Sequence, residues 1–307
     1  RMFSFTVKKA HWPACNAGTI LMCWAESKSA SASSFAATIL LFALFILCEL
    51  KTEEPLLDVR VFRNPRISAA TGSISAAFFV LFGFTFLVTQ YFQFVRGYST
   101  LSAGLHTLPF AFGAGITAPI AARLALKFGT KRVVAHGLLN MSIGLVIMGF
   151  CGANAPYWGP VVIAMLFLAS GLGLVTSPAT DAVMGSLPAE RAGIGSAIND
   201  VGREVGGTLG VAISGSVFAS LYGPKIVELI SDLGVPEEAV AIAKQSAGAG
   251  FAVAEMAPTP EAAEAIRGAV SEAFMHGFHA ASFTGAGVAV VGSLCAWKFL
   301  PARNRSI

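Results

Sequence analysis

Apolar and polar positions divide this chain into long apolar stretches separated by short basic segments. No Asp, Glu, Lys or Arg occurs in residues 67–95, 97–122, 133–180 or 205–224. A membrane-spanning helix needs roughly 20 mostly apolar residues, so the pattern predicts several helical crossings of a bilayer. Strands of a membrane barrel would instead alternate over segments of about 10 residues, and these runs are continuous.

The apolar stretches predict about seven transmembrane helices, of which the first is the shortest. They are residues 35–50, 68–95, 102–122, 133–151, 157–180, 194–220 and 278–300. The composition agrees, because 12% of the residues are charged and 55% are hydrophobic, whereas a soluble domain is about one quarter charged. The mean hydropathy is +0.69. The predicted fold class is therefore an all-α membrane protein.

Basic residues indicate the orientation, because short cytoplasmic loops are enriched in Lys and Arg. Alternate connections carry the basic clusters, which are Lys51 with Arg60, Arg63 and Arg66; Arg123 with Lys127, Lys131 and Arg132; Arg191; and Lys298 with Arg303 and Arg305. The segment from Lys225 to Glu272 holds eight acids and three bases. We therefore expect the basic clusters and the C-terminus to face the cytoplasm, and the acidic segment to lie outside.

This topology predicts the organisation of the chain. After the linker helix at 35–50 we expect a cytoplasmic linker at 51–66, five helices of a bundle at 67–224, an extracytoplasmic loop with short helices at 225–277, the last helix at 278–300 and a cytoplasmic tail at 301–307. Residues 1–34 fit less well, because Pro13 and Asn16 interrupt their apolar part and the chain starts with Arg1. They are interpreted as the atypical edge of a fragment.

The sequence shows no motif for a metal, a cofactor, a nucleic acid or an enzyme. Its five cysteines form no CxxC pair, and His276 and His279 have no further ligands nearby. Phosphate-loop, zinc-protease and nucleophile-elbow motifs are missing from the sequence. The net charge of +4 is explained by the inner loops. No cofactor and no nucleic-acid partner are expected.

The sixth span carries three ionisable residues within five positions, which are Asp200, Arg203 and Glu204. A charge at the centre of a spanning helix costs on the order of 3 kcal/mol, so these side chains should face protein or a water-filled cavity. Asp181, on the preceding span, could reach Arg203 across an antiparallel pair. Two interpretations remain open, a salt bridge that fixes the helices and a protonatable carboxylate whose pKa depends on Arg203.

Small residues and amides suggest two further features. Gly202, Gly206 and Gly210 repeat at every fourth position, as does Ser214, which is typical of closely packed helices. Gln90, Gln93 and Asn199 are candidate residues of a substrate cavity. Tyr91 and Phe94 are interpreted as anchors at the membrane interface.

Three strings carry a family resemblance, namely PLLDVRVFRNPR at 55–66, QYFQFVRGYSTLSAGLHTLP at 90–109 and PATDAVMGSLPAERAGIGSAINDVGREVGGTLGVAISGSV at 178–217. They resemble the fourteen-span drug:proton antiporters of the major facilitator superfamily. The segment 122–132 is similar to the superfamily's cytoplasmic loop signature, which Lys127, Gly129, Lys131 and Arg132 match. Leu126 replaces its acidic residue, and Ala122 replaces its first glycine.

The resemblance implies a linker helix followed by the C-terminal six-helix half of a transporter, whose partner would be the missing N-terminal half. It implies proton-coupled export of drugs or other amphipathic small molecules by alternating access, in a bacterial plasma (inner) membrane. The spans at 68–95 and 157–180 would line the cavity. Asp200, Arg203, Glu204 and Asp181 would be candidates for a polar network. An inactive half-transporter or a nonenzymatic membrane scaffold is the alternative.

Overall fold

The computed structural model describes residues 37, 40–41, 43–48, 50–51, 59–188, 191–231 and 233–300. The chain divides into two compact units, residues 1–60 and residues 61–307. In the first unit the described residues between 37 and 51 are helical, and the Arg60 guanidinium donates to the carbonyl oxygen of Leu50 at 2.9 Å. The predictions for 1–34, for much of the linker helix at 35–50, and for Arg303 and Arg305 lie outside the described residues.

The second unit is helical, and a short 3₁₀ turn, Val59–Arg63, leads into it. Its helices are α1 Pro65–Gln90, α2 Thr100–His106, α3 Leu108–Phe128, α4 Thr130–Gly149, α5 Val162–Met184, α6 Ala192–Ser231, α7 Glu237–Ala243, α8 Ala247–Glu255 and α9 Pro260–Phe299. Single π-helical turns, Tyr91–Val95 and Tyr157–Val161, extend the C-terminal end of α1 and lead into α5.

Six helical segments within the described residues are long and apolar enough to cross a membrane. They are Pro65–Val95, Thr100–Phe128, Thr130–Gly149, Tyr157–Met184, Ala192–Ser231 and Pro260–Phe299, and they coincide with the last six spans of the sequence prediction. The predicted fold class is confirmed. The chain is therefore an integral membrane protein.

Two spans are longer than the sequence predicted. α6 and α9 have 40 residues each, which at 1.5 Å per residue is about 60 Å, twice the thickness of a hydrocarbon core of roughly 30 Å. Apolar stretches end where the lipid ends, whereas the helices continue into the acidic segment. α7 and α8 connect them.

The connection between α3 and α4 is a single residue, Gly129. Its φ of +90° lies in the region that favours glycine, and its N–H donates to the carbonyl oxygen of Ala125 at 2.9 Å, which ends α3. A side chain at this position would be strained. The tight turn therefore depends on Gly129.

Helices that follow one another along the chain are not always neighbours; α4 and α5 pack closely, but some other consecutive helices do not. α1 packs along α6, and α3 packs along α5. α4 lies between α5 and α9, and α9 also contacts α1 and α6. α5 and α6, although consecutive, share only a small contact. α3 is the least buried spanning helix in the described part of the chain, and its large apolar side chains at Leu108, Phe112 and Ile116 are exposed.

The contact between α1 and α6 follows the predicted small-residue stripe. A Cβ atom on Gly206 would overlap the carbonyl oxygen of Ser75, and one on Gly210 would overlap that of Phe79. A Cβ atom on Gly202 would instead meet the Thr71 side chain. The contacts advance along both helices together, so the two helices run in the same direction. The Ser75 hydroxyl donates to the carbonyl oxygen of Gly202 at 2.9 Å. The absence of side chains lets the two backbones touch.

Candidate functional site

Arg203 faces α1. Its guanidinium carbon lies 5.2 Å from the centroid of the Phe78 ring, which is a cation–π arrangement. Its Nε atom is buried and makes no hydrogen bond. Arg203 follows Gly202 by one residue, and the glycine stripe turns this side of α6 toward α1. The aromatic ring is therefore the partner that this structure gives to the charge.

Asp200 and Glu204 lie on the side of α6 opposite Gly202, and both side chains are exposed. At 100° per residue, they are roughly 160–200° around the helix from Gly202. Counted from Ala192, where α6 begins, they lie roughly 12 Å and 18 Å along the helix. Two exposed carboxylates thus stand on one face of a helix that is long and apolar enough to span a membrane.

The four candidates of the polar network are not joined. Among the described residues, no ion pair within 4.0 Å links Asp181, Asp200, Arg203 or Glu204 to one another; the pair that the structure shows is Lys225–Glu228. Asp181 is exposed in the last turn of α5. The contact between Asp181 and Arg203 was expected because consecutive spans were assumed to be neighbours. α6 instead packs along α1, so Arg203 turns away from α5.

The three cavity candidates lie in different surroundings. Asn199 is 6% exposed and accepts a hydrogen bond from the Thr180 hydroxyl at 3.0 Å, so it joins α5 to α6 and lines no open space here. Gln90 is half-buried, and its amide donates to the carbonyl oxygen of Phe86 within its own helix. Gln93 lines two cavities at the C-terminal end of α1. The role of all three in binding substrate remains a prediction.

The smaller of these cavities, of about 370 Å³, lies between α1, α2, α3 and α5. Its walls combine the rings of Phe84, Phe92 and Phe110 with hydroxyl groups of four threonines and the Gln93 amide; the threonines are Thr85, Thr89, Thr100 and Thr107. Aromatic walls with a few polar groups suit a flat amphipathic molecule. This cavity is the best candidate for a substrate-facing surface in the described part of the chain.

An aromatic cluster around His106 adjoins this cavity, and the sequence analysis missed it. Ring centroids of Tyr98 and Tyr157 lie 4.4 Å and 4.5 Å from that of His106, and Phe92 lies at 6.0 Å. The Nδ1 atom is 2.7 Å from the carbonyl oxygen of Ser102. It must carry the hydrogen, because the carbonyl can only accept. A histidine in a segment without charges was the available signal, but its partners come from three separate elements.

Three side chains hold the connection between α4 and α5. The Tyr91 hydroxyl donates to the carbonyl oxygen of Gly152 at 3.3 Å, and Arg96 donates to that of Ala155 at 3.0 Å. His279 Nε2 lies 2.8 Å from the carbonyl oxygen of Cys151. Tyr91 is 0% exposed, so its interpretation as an anchor at the membrane interface is wrong. Its hydroxyl can be buried because the loop carbonyl accepts its hydrogen bond.

Two described groups outside the spans have a shifted pKa, namely Cys151 in this loop and Arg96 in the segment between α1 and α2. Burial raises the pKa of the Cys151 thiol, which donates to the carbonyl oxygen of Ile147 at 3.3 Å. A hydrogen bond to the Tyr98 hydroxyl raises the pKa of Arg96, against the lowering effect of burial. The arginine therefore stays charged at any pH at which the protein is folded.

The cytoplasmic loop motif surrounds the Gly129 turn. Lys127 and Arg132 are exposed, and the Lys131 ammonium lies 5.5 Å from the centroid of the Trp297 ring near the end of α9. Leu126, in the place of the motif's acid, is 80% exposed. The motif forms a tight basic turn, with no carboxylate at position 126 that could bind these cations.

A six-helix membrane bundle with carboxylates on an open face and an amphipathic cavity at one end is typical of transport proteins. Comparison with known proteins agrees with this class. Residues 17–211 match the sequence profile of the Major Facilitator Superfamily. This match covers well over half of the chain, so the chain belongs to that superfamily. It is a transport protein by family, and not an enzyme.

Several relatives are named for drug resistance. "Multidrug resistance protein Stp" of Mycobacterium tuberculosis is 33% identical over 58% of this chain and 33% of its own length. "Methyl viologen resistance protein SmvA" of Salmonella typhimurium is 31% identical over 81% of this chain and 49% of its own length. "Tetracycline resistance determinant" of Streptomyces rimosus is 25% identical over 89% of this chain and 83% of its own length.

These names confirm the resemblance to drug antiporters of the superfamily. The chain spans between a third and a half of the length of the first two relatives.

Proposed function

We propose that this chain is the C-terminal half of a proton-coupled exporter of amphipathic small molecules in a bacterial plasma membrane. It works by alternating access with a second six-helix half, and the substrate lies between the halves. The relatives named for resistance to drugs, methyl viologen and tetracycline support the substrate class.

The exposed carboxylates of α6 carry this proposal. Asp200 and Glu204 stand on an open face at roughly 12 Å and 18 Å from the cytoplasmic end of the helix. Exposure of such groups to lipid costs on the order of 3 kcal/mol each, so a protein partner or water must cover this face. A second half that encloses a water-filled space beside α6 would shield the two carboxylates from lipid and keep them in contact with water. A carboxylate there could take up and release the coupled proton.

The α3 helix supports the same conclusion. It is the least buried span in the described part of the chain, and polar groups of the outer cavity lie beside it. A partner half that covers the open faces of α3 and α6 would enclose the cavity from the side. This arrangement places Thr85, Thr89 and Gln93 toward a substrate.

Reconstituted flux tests this proposal. The chain is co-expressed with the N-terminal six-helix half of the Salmonella relative, and both are placed in sealed proteoliposomes that contain ethidium and carry an imposed pH gradient. We expect efflux that stops when nigericin collapses the gradient. The control is the Salmonella relative split into its own two halves, which shows that halves can reassemble. Flux in the control without flux in the hybrid would contradict the proposal and favour the inactive or scaffold alternative.

A further inference from the structure

An apolar groove of about 560 Å³ lies between α1 and α9 at the end of the bundle that carries Arg63 and Lys298. Small residues of α1 form one wall, among them Ala69 and Gly72, and Val288 and Val291 of α9 form the other. A Cβ atom on Gly72 would meet nothing within 4 Å, so the groove is open at its middle. The proposed transport mechanism does not use this surface.

The length of the groove matches one leaflet of a bilayer. It runs from Pro65 to Ala76 on α1 and from Val288 to Phe299 on α9. Each stretch covers eleven residue steps, or roughly 16 Å at 1.5 Å per residue. Half of a hydrocarbon core of roughly 30 Å is 15 Å. A spanning helix of another protein would need a groove of twice this length, so an acyl chain is the better fit.

Polar groups within the groove are already satisfied. The Ser73 hydroxyl donates to the carbonyl oxygen of Ala69 at 2.7 Å, and the Ser68 hydroxyl donates to that of Phe62. The walls therefore present an apolar surface, which suits a hydrocarbon chain and offers no hydrogen bonds to a polar ligand.

The mouth of the groove is positively charged. Arg63 lines it and is exposed. The Lys298 ammonium lies 5.4 Å from the centroid of the Phe299 ring, which forms the last part of the wall. The described residues that line the groove include no carboxylate. Basic residues immediately cytoplasmic of spanning helices attract anionic lipid head groups.

We propose that this groove binds one acyl chain of an anionic phospholipid of the inner leaflet, with the lipid phosphate against Arg63 and Lys298. The groove supplies the depth of one leaflet, and the two cations select the head group. The inference depends on the cytoplasmic placement of this end, which the distribution of basic residues predicts, and it does not depend on transport.

Competition between two lipids tests the site. The purified full chain in detergent is mixed with equal amounts of dioleoyl phosphatidylglycerol and dioleoyl phosphatidylcholine, whose acyl chains are identical, and the bound lipid is counted by native mass spectrometry. We expect a preference for phosphatidylglycerol. It should fall about fivefold for each cation removed in Arg63→Gln and Lys298→Gln, because each basic residue near an anionic surface contributes about that factor. An unchanged preference in the double variant would overturn the assignment of the head group.

A second pair of variants tests the acyl chain. Gly72→Leu places a side chain in the open middle of the groove and should lower the binding of both lipids. Gly287→Leu is the matched control, because Gly287 is an equally open glycine on α9 outside the groove, and it should bind as the parent does. Equal lipid binding by the two variants would overturn the proposal.

Gly72→Cys provides the same test after folding. Because Cys295 lines the same groove and is exposed, the variant carries Cys295→Ser as well. Alkylation of this purified variant with a hexyl thiosulfonate fills the groove in a protein that is already folded, and we expect the bound lipid to be lost. Disulfide cross-linking of Gly72→Cys to a second copy, or to another segment of this chain, in native membranes would show a protein occupant. That result would overturn the lipid proposal.

Discussion

The Arg203 guanidinium lies over the ring of Phe78, 5.2 Å from its centroid, and not against Asp200 or Glu204. The two acids are on the same helix, roughly 60° and 100° around its axis from Arg203, but neither carboxylate lies within 4.0 Å of the guanidinium. The charge of Arg203 is thus stabilised by an aromatic ring at the α1–α6 contact. The carboxylates form no ion pair with Arg203. Substitution of either acid should therefore have little effect on Arg203, and substitution of Arg203 should have little effect on the acids.

The first prediction concerns this contact. A cation–π contact is worth roughly 0.5–2 kcal/mol, whereas removal of one partner of a buried ion pair costs roughly 3–5 kcal/mol. We expect Arg203→Gln and Phe78→Leu each to lower the unfolding free energy by about 1 kcal/mol, with a double variant that costs less than the sum.

Thermal unfolding in detergent measures this cycle, and Phe86→Leu combined with Arg203→Gln is the additive control. If Arg203→Gln cost roughly 3–5 kcal/mol and Asp200→Asn rescued it, an ion pair would exist and the aromatic assignment would be wrong.

The second prediction concerns the exposed acids. Asp200→Asn and Glu204→Gln break no ion pair in this structure, so both variants should fold as the parent does. If one of these carboxylates carries the coupled proton, its neutral variant should lose the pH dependence of efflux in the reassembled transporter. The control is Asn199→Asp, which places a carboxylate at a buried site and should reduce expression. Parental pH profiles in both neutral variants would remove these acids from the coupling mechanism.

The sequence was sufficient to predict the spans but not their neighbours. Hydropathy is a local property, so residues 133–151 predicted α4 closely. Pairing is not local. α6 packs along α1, and Gly206 meets Ser75, which is distant in the sequence. The periodicity of neither helix indicates this contact. The stripe predicted a close contact without its partner.

The candidate site shows the same division. Asp200 and Glu204 were found because charges are rare in apolar spans, and their i,i+4 spacing placed them on one face. The cluster around His106 was missed, because Tyr98 and Tyr157 are distant from each other in the sequence. Neither tyrosine belongs to a motif that would indicate the contact. The sequence also did not predict the burial of Asn199 against Thr180. An amide in an apolar helix can face either a cavity or a neighbouring helix, and the sequence does not distinguish the two.

The third prediction tests the glycine contact. Gly206→Ala would place a methyl group on the carbonyl oxygen of Ser75, and the backbones must separate. Overpacking of this kind costs typically about 1–3 kcal/mol. Gly193→Ala, at an open position in the first turn of the same helix, should be neutral or slightly stabilising, because alanine favours helices. Equal melting temperatures of the two variants would show that α6 does not lie against α1 along this stripe.

The last prediction concerns the loop between α4 and α5, which His279 holds and which the distribution of basic residues predicts to lie outside. His279 Nε2 lies 2.8 Å from the carbonyl oxygen of Cys151, and burial raises the pKa of that thiol. Only the thiolate reacts with a maleimide. A raised pKa means that the folded protein keeps the proton more tightly, so labelling should be slow at neutral pH and should increase only at a higher pH than for a free cysteine.

Loss of the hydrogen bond should reverse this. In a background whose other cysteines are replaced by serine, His279→Ala should free the loop, and the labelling profile from outside intact cells should move toward lower pH. His279→Gln, which can still donate to the carbonyl, should restore slow labelling. His276→Ala is the control, since His276 is exposed one turn earlier on α9. Rapid labelling of the parent at neutral pH, or an equal effect of the His276 variant, would show that His279 does not hold Cys151 in the buried position.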